Sequence, residues 1–145
     1  MSDMLPPDQG MIRIITPEDP AVGDEISIQQ PAIVRWRFIS LIAFFTAGAG
    51  VFDREPALGV LLGGNIVFRS QAKGKLTTGE DAWIEWYAGP SLETTFGPRQ
   101  ITGIMPEKFL MNNQMKIETD TDDMQAVDQW SLIALMVEEW MEPLS

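Results

Sequence analysis

From Pro31 to Tyr87 the apolar residues come in short runs and not at helical spacing. The longest, Phe38-Ile39-Ser40-Leu41-Ile42-Ala43-Phe44-Phe45-Thr46, ends at Ala47-Gly48-Ala49-Gly50. A second run spans Leu58 to Val67, and a third is Ala82-Trp83-Ile84-Glu85-Trp86-Tyr87. The runs are rich in β-branched and aromatic residues, and Gly, Pro or Asn interrupts them every few positions. That combination predicts strands of a buried sheet.

Alternation locates further strands. Met11 to Ile15 has strand composition and is followed by Pro17 and Pro20; Ile26-Ser27-Ile28-Gln29 alternates and stops at Pro31. Within the long run, Trp36, Phe38, Ile42 and Phe44 share one parity, and Arg35, Arg37, Ile39, Leu41 and Phe45 share the other. One face thus begins apolar and the other basic, and both are apolar after Ser40. A strand passing from a solvated edge into a doubly covered centre accounts for that change. Trp83, Glu85 and Tyr87 lie on one face of the third run, with Ile84 and Trp86 opposite. Gln100 to Met105 and Gln114 to Thr119 add short strands.

The last segment, Gln129 to Met141, admits two readings. Trp130, Leu132, Ala134, Met136 and Trp140 form one strand face, with Ile133, Leu135 and Val137 on the other. Met124, Val127, Ser131, Ala134, Val137 and Met141 instead suit a helix begun at Asp122 or Asp123. The unbroken apolar run favours the strand. In all, about eight strands with turn signals every 8–12 residues or so predict an all-β, jelly-roll-like β-sandwich. Residues 1–10, with Pro6, Pro7 and Gly10, read as a short extended N-terminal arm, and residues 11–145 as the sandwich domain.

Composition narrows the chemistry. The chain of 145 residues has no cysteine and no histidine, which removes thiolate chemistry and the side chain best suited to proton transfer near neutrality. Catalysis is left to carboxylate, Lys, Tyr or Ser/Thr machinery, and the sequence points away from an enzyme. A net charge of −11 lacks the basic footprint that nucleic-acid binding requires; the pair Arg35 and Arg37 is too short to supply it. The N-terminus has neither the basic nor the apolar region of a signal peptide, and Phe38 to Phe52 is too short for a membrane helix. A cytoplasmic product with no membrane partner is the expectation.

The motifs that suggest chemistry fall short. Ala47-Gly48-Ala49-Gly50-Val51 has a G-x-G but Asp53 where a dinucleotide fingerprint needs its third glycine. Without histidine no serine triad assembles. Asp120, Asp122, Asp123 and Asp128 begin like a calcium loop yet lack its turn glycine and closing glutamate, so they read as a solvated acidic loop. No catalytic residue, metal set or cofactor is assigned. Five tryptophans remain, most of them expected in the core. Trp83 shares parity with Glu85, and Trp140 with Glu138, so one or both are candidates for a sheet surface, as anchors for a partner protein or a sugar ring, against the favoured reading of packing in the core or at its rim.

The phrases Phe44-Phe45-Thr46-Ala47, Arg54, Leu76-Thr77-Thr78-Gly79-Glu80 before Trp83-Ile84-Glu85-Trp86-Tyr87, Met105-Pro106, and Asp128-Gln129-Trp130 leading to Val137-Glu138-Glu139-Trp140 resemble small virion proteins of tailed bacteriophages. Those are similar to jelly-roll capsid decoration, or cement, proteins, and the likeness covers about residues 30 to 142. The resemblance implies a non-enzymatic protein on the capsid surface of the virion, made in the host cytoplasm. It implies binding to the major capsid protein, self-association as a homotrimer and stabilised capsomer contacts. The arm residues Leu5, Pro6 and Pro7, the basic pair Arg35 and Arg37, and Trp83 and Trp140 are the candidate partner-binding residues. Two other readings stay open: a carbohydrate-binding sandwich that stacks sugars on Trp83 or Trp140, with calcium in the Asp120 to Asp128 loop, and a head–tail connector or tail component.

Overall fold

Two long strands cross the molecule side by side, β3 (Val34–Thr46) and β10 (Gln129–Met141). The computed structural model describes residues 10–89, 100–112 and 114–141. The other strands are β1 (Met11–Ile15), β2 (Ser27–Gln29), β4 (Ala57–Leu62), β5 (Asn65–Gln71), β6 (Asp81–Ala88), β7 (Gln100–Met105), β8 (Leu110–Met111) and β9 (Lys116–Thr119). The described residues thus contain ten strands, two more than the pattern predicted, and no helix. Gln129 to Met141 is a strand, as its apolar run favoured.

The larger sheet has the order β1-β10-β3-β6-β7, with β8 beside the first part of β3; the smaller has the order β2-β9-β4-β5. Setting aside β7 and β8, the chain crosses between β1-β10-β3-β6 and β2-β9-β4-β5 at every connection except the β4–β5 hairpin, which is the routing of a jelly roll. Every strand pair is antiparallel except β6 with β7. The hairpin from β4 to β5 turns on Gly63 and Gly64, both at positive φ (60° and 86°). A two-residue turn of that kind matches the twist of the strands it joins, and glycine adopts it without strain.

The core lies between the sheets. Trp36, Phe38, Leu41 and Phe45 of β3 meet Ile84 and Trp86 of β6, Trp130 and Leu135 of β10, and Leu58 and Val60 of β4. Trp130 sits among aromatics, edge-on to Phe45 at 4.8 Å and 6.3 Å from Trp86. Gly103 is where the sandwich tolerates no side chain: a Cβ there would stand 2.4 Å from the Trp86 ring.

The parity assigned to β3 and β10 is corrected by two β-bulges. Phe38 pairs with Val137 and Ser40 with Met136, so Ile39 is an extra residue on β3. The inward set therefore runs Val34, Trp36, Phe38 and then Leu41, Ala43, Phe45, while Ile42 and Phe44 join Arg35 and Arg37 on the outside. On β10, Leu132 and Ile133 together oppose Ala43 between the pairs Ser131–Phe44 and Ala134–Ile42. Leu132 takes φ +52° and points to solvent, and the inward set becomes Trp130, Ile133, Leu135 and Val137. One inserted residue reverses every later side chain on a strand. The second half of β3 is also not doubly covered, because no described element lies over the outer face of the larger sheet.

Candidate interaction surface

That outer face is built from alternate residues of five strands held in register. One row runs Ile14, Met136, Ser40, Tyr87, Ile104, from β1 across to β7. The next is Ala134, Ile42, Glu85, Thr102, and a third is Ser131, Phe44, Trp83, Gln100. Phe44 and Trp83 meet edge to face, with ring centroids 5.1 Å apart. Such a contact fixes both rings and adds about 0.5–1.5 kcal/mol beyond area burial. Ile42, Phe44, Trp83, Tyr87 and Met136 are half-buried by their neighbours, whereas Ile12, Ile14 and Ile104 are exposed.

Polar groups border the apolar rows. Arg37 Nε donates to Glu138 Oε1 at 2.8 Å, and the Gly10 amide donates to Glu138 Oε2 at 2.9 Å. Those two donors, Gly10 first, hold the Glu138 carboxyl below its usual range in spite of partial burial. On the inner side of the same rim, Trp36 Nε1 and Arg13 Nη1 both donate to Glu139. Gln100 donates to Glu85 at 3.3 Å.

Of the sequence-derived candidates, four fall on this one face. Arg35 stands opposite Trp140, and Arg37 opposite Glu138, at one end; Trp83 stands opposite Phe44 at the other. Nine positions of β3 separate Arg35 from Phe44, roughly 30 Å at strand rise. Trp83 and Trp140 are therefore two ends of one surface and not one site. Leu5, Pro6 and Pro7 lie outside the described residues.

The acidic loop does not converge. Asp120 and Asp122 both pair with Arg69, at 3.0 and 3.3 Å. Asp128, expected in solvent, is fully buried and grips Arg54, itself fully buried although Asp53 and Glu55 flank it. Arg54 Nε donates to Asp128 Oδ2 at 3.0 Å and Nη2 to Oδ1 at 3.1 Å. The remaining guanidinium donors go to the carbonyls of Gly48, Gly50 and Phe52. The Gly48 and Gln125 amides complete the Asp128 carboxylate at 2.7 and 2.8 Å. Burial pushes this carboxyl up, but hydrogen bonds from Arg54, Gln125 and Gly48, with the Arg54 charge, bring it below the ordinary aspartate value. The clasp fixes the turn from Ala47 to Arg54 to the loop before β10 and leaves Val51 and Phe52 exposed. No spacing rule joins residues 74 positions apart, so nothing in the sequence marked this pair.

Concave surface is modest. One hollow of about 410 Å³ is lined by Gln29, Leu61, Gly63, Gly64, Gln114 and Lys116 among others, and Lys116 is paired with Glu118 at 3.1 Å. Another, of about 200 Å³, borders Glu25, whose carboxylate is engaged by Thr119, Thr121 and Trp130. Among the described residues no group of three or more acidic side chains is placed to hold a metal ion. No helix among them is long and apolar enough to cross a membrane. Neither the known protein families, nor curated proteins, nor solved structures give a match to this chain.

Proposed function

We propose that the protein is a non-enzymatic virion structural protein, a capsid decoration or cement protein whose larger sheet docks on the shell and stabilises contacts between capsomers. The observation that carries the reading is the outer face from Ile14 to Ile104, where Met136, Ile42, Phe44, Trp83 and Tyr87 lie among Ser40, Glu85 and Thr102 with no described element over them. A rigid sheet face of mixed apolar and polar side chains is what protein contact uses. The rim pairs Arg37–Glu138 and Arg13–Glu139 supply orientation more than affinity. Jelly rolls serve viral shells and also lectins, so the fold supports the class without choosing within it. The resemblance to phage decoration proteins is what favours the shell.

The test is co-sedimentation with assembled shells of the phage that encodes the chain. Wild-type protein pellets with the shells, and Ile104→Lys, at an exposed position in the centre row, stays in the supernatant. Particles that lack the protein lose integrity on heating or at low ionic strength. If they survive both unchanged, the stabilising role is wrong.

One feature supports a carbohydrate-binding reading as the second choice. The half-buried Trp83 ring is held by Phe44 beside the hydrogen-bonded pair Glu85 and Gln100, an aromatic platform with polar neighbours. Quenching or a shift of tryptophan fluorescence by glycans, abolished in Trp83→Ala, would favour it over the shell. Its calcium component loses support, because Asp128 is committed to Arg54.

A further inference from the structure

A sandwich leaves four sheet edges, and an unpaired edge recruits another strand unless something blunts it. Three of the four are blunted here. On β7, Ser70 Oγ donates to the Ile104 carbonyl at 2.7 Å and the Lys73 amide to the Thr102 carbonyl at 2.8 Å, so its outer carbonyls are occupied. Strand β2 has only three residues. On β5, Val60 pairs with Phe68 and Leu61 with Ile66, which makes Val67 a bulged residue that breaks the edge.

Among the described residues the fourth edge, β1, has none of these three devices, and its one charge, Arg13, is tied to Glu139. Its five residues pair with β10 without a register shift, and Met11-Ile12-Arg13-Ile14-Ile15 contains no proline, lysine or carboxylate. Met11, Ile12 and Ile14 are 63%, 54% and 60% exposed, so the strand leaves most of its own apolar surface in water. In a chain of charge −11 the edge is locally neutral. Arg13 is bonded to Glu139, and Glu138, beside Ile12, is bonded to Arg37.

We infer that β1 is a self-association edge, which pairs antiparallel with β1 of a second copy and joins the two larger sheets into one. A second copy fits better than a charged partner because the edge offers no net charge to complement and is the same neutral, apolar strip on both sides. Antiparallel pairing of a strand with itself places a two-fold axis through the sheet and closes at two copies. Inner and outer faces must stay matched across the junction, so the axis passes through a residue that faces its own copy. Arg13 at that point would set like charges opposite each other, which is destabilising. Met11 or Ile15 at that point would leave the rest of the strand unpaired, so the axis runs between Ile12 and its copy or between Ile14 and its copy. The junction adds Ile12, Ile14 and their copies to the outer face, but its small area makes the dimer weak and reversible. Ile14 also belongs to the face proposed to dock on the shell, but self-association is read as mass in solution without shells, so its failure is distinguishable from a failure of docking.

Sedimentation velocity of the full chain over a concentration series tests it. The mass should rise from one chain to two and go no further, and Ile12→Lys with Ile14→Lys should hold it at one. These positions are exposed, so the melting temperature should barely move. A chain without cysteine also allows single-thiol variants. Under mild oxidation Ile12→Cys or Ile14→Cys, but not both, should form covalent dimer about tenfold faster than Ile66→Cys on β5, because pairing raises the local thiol concentration. A single-chain mass at every concentration, a three-chain mass, or equal cross-linking at residues 14, 12 and 66 overturns the proposal. Should the lysine variant fail to fold, the cysteine series still decides.

Discussion

The Arg54–Asp128 clasp lends itself to the sharpest perturbation, Asp128→Asn. The substitution keeps shape and removes charge. In the wild type each carboxylate oxygen accepts two hydrogen bonds: Oδ1 from the Gly48 amide and Arg54, Oδ2 from the Gln125 amide and Arg54. An asparagine must place an NH₂ where one of those oxygens was. Two donors then face a donor, one of them from Arg54, and the fully buried guanidinium keeps one uncharged bond to residue 128 besides the carbonyls of Gly48, Gly50 and Phe52. Breaking a buried pair from one side costs about 3–5 kcal/mol, a large part of the roughly 5–15 kcal/mol that holds a domain of this size. Urea unfolding followed by tryptophan fluorescence reads it directly, since Trp130 lies two residues from Asp128. The pH dependence gives a second reading. The folded Asp128 carboxyl is held below its ordinary value, so its stabilisation is complete above the unfolded aspartate range and is lost as pH falls through the lower folded value. The wild type should thus show a steeper acid limb below about pH 4, and Asp128→Asn a flatter one. A loss under about 1 kcal/mol, or an acid limb unchanged by the mutation, would refute the reasoning.

Other consequences are as specific. Gly103→Ala forces a methyl into the Trp86 ring, whose Nε1 donates to the Ser70 carbonyl; it should cost about 1–3 kcal/mol in denaturant unfolding and shift tryptophan emission. At Leu132, held at φ +52° on the bulge, glycine should leave thermal stability level or raised by up to about 1 kcal/mol, whereas valine should lower it by about 1–2. Glu138→Gln weakens the contact to Arg37 and releases a carboxyl whose lowered pKa also stabilises the fold only above the acid range; calorimetry near neutrality should show a loss of about 1 kcal/mol that shrinks as the pH falls below the ordinary glutamate range.

The chain itself determined the strands, because alternation, β-branched runs and Gly or Pro stops are local signals that each strand carries alone. The β-sandwich and the strand character of Gln129 to Met141 follow from those signals, and so does the candidacy of Trp83 and Trp140 for a sheet surface. Which way the central strands face did not, since an extra residue at Ile39 or Leu132 in a run apolar on both sides leaves no polar marker of the slip. Partners far apart in sequence were equally hidden. Asp128 looks like one more acid in an acidic loop until the fold brings Arg54 from 74 residues away and withdraws both from water. Only the tertiary structure decided that Arg35, Arg37, Trp83 and Trp140 share one face, and that β1 is a sheet edge which the described residues leave open.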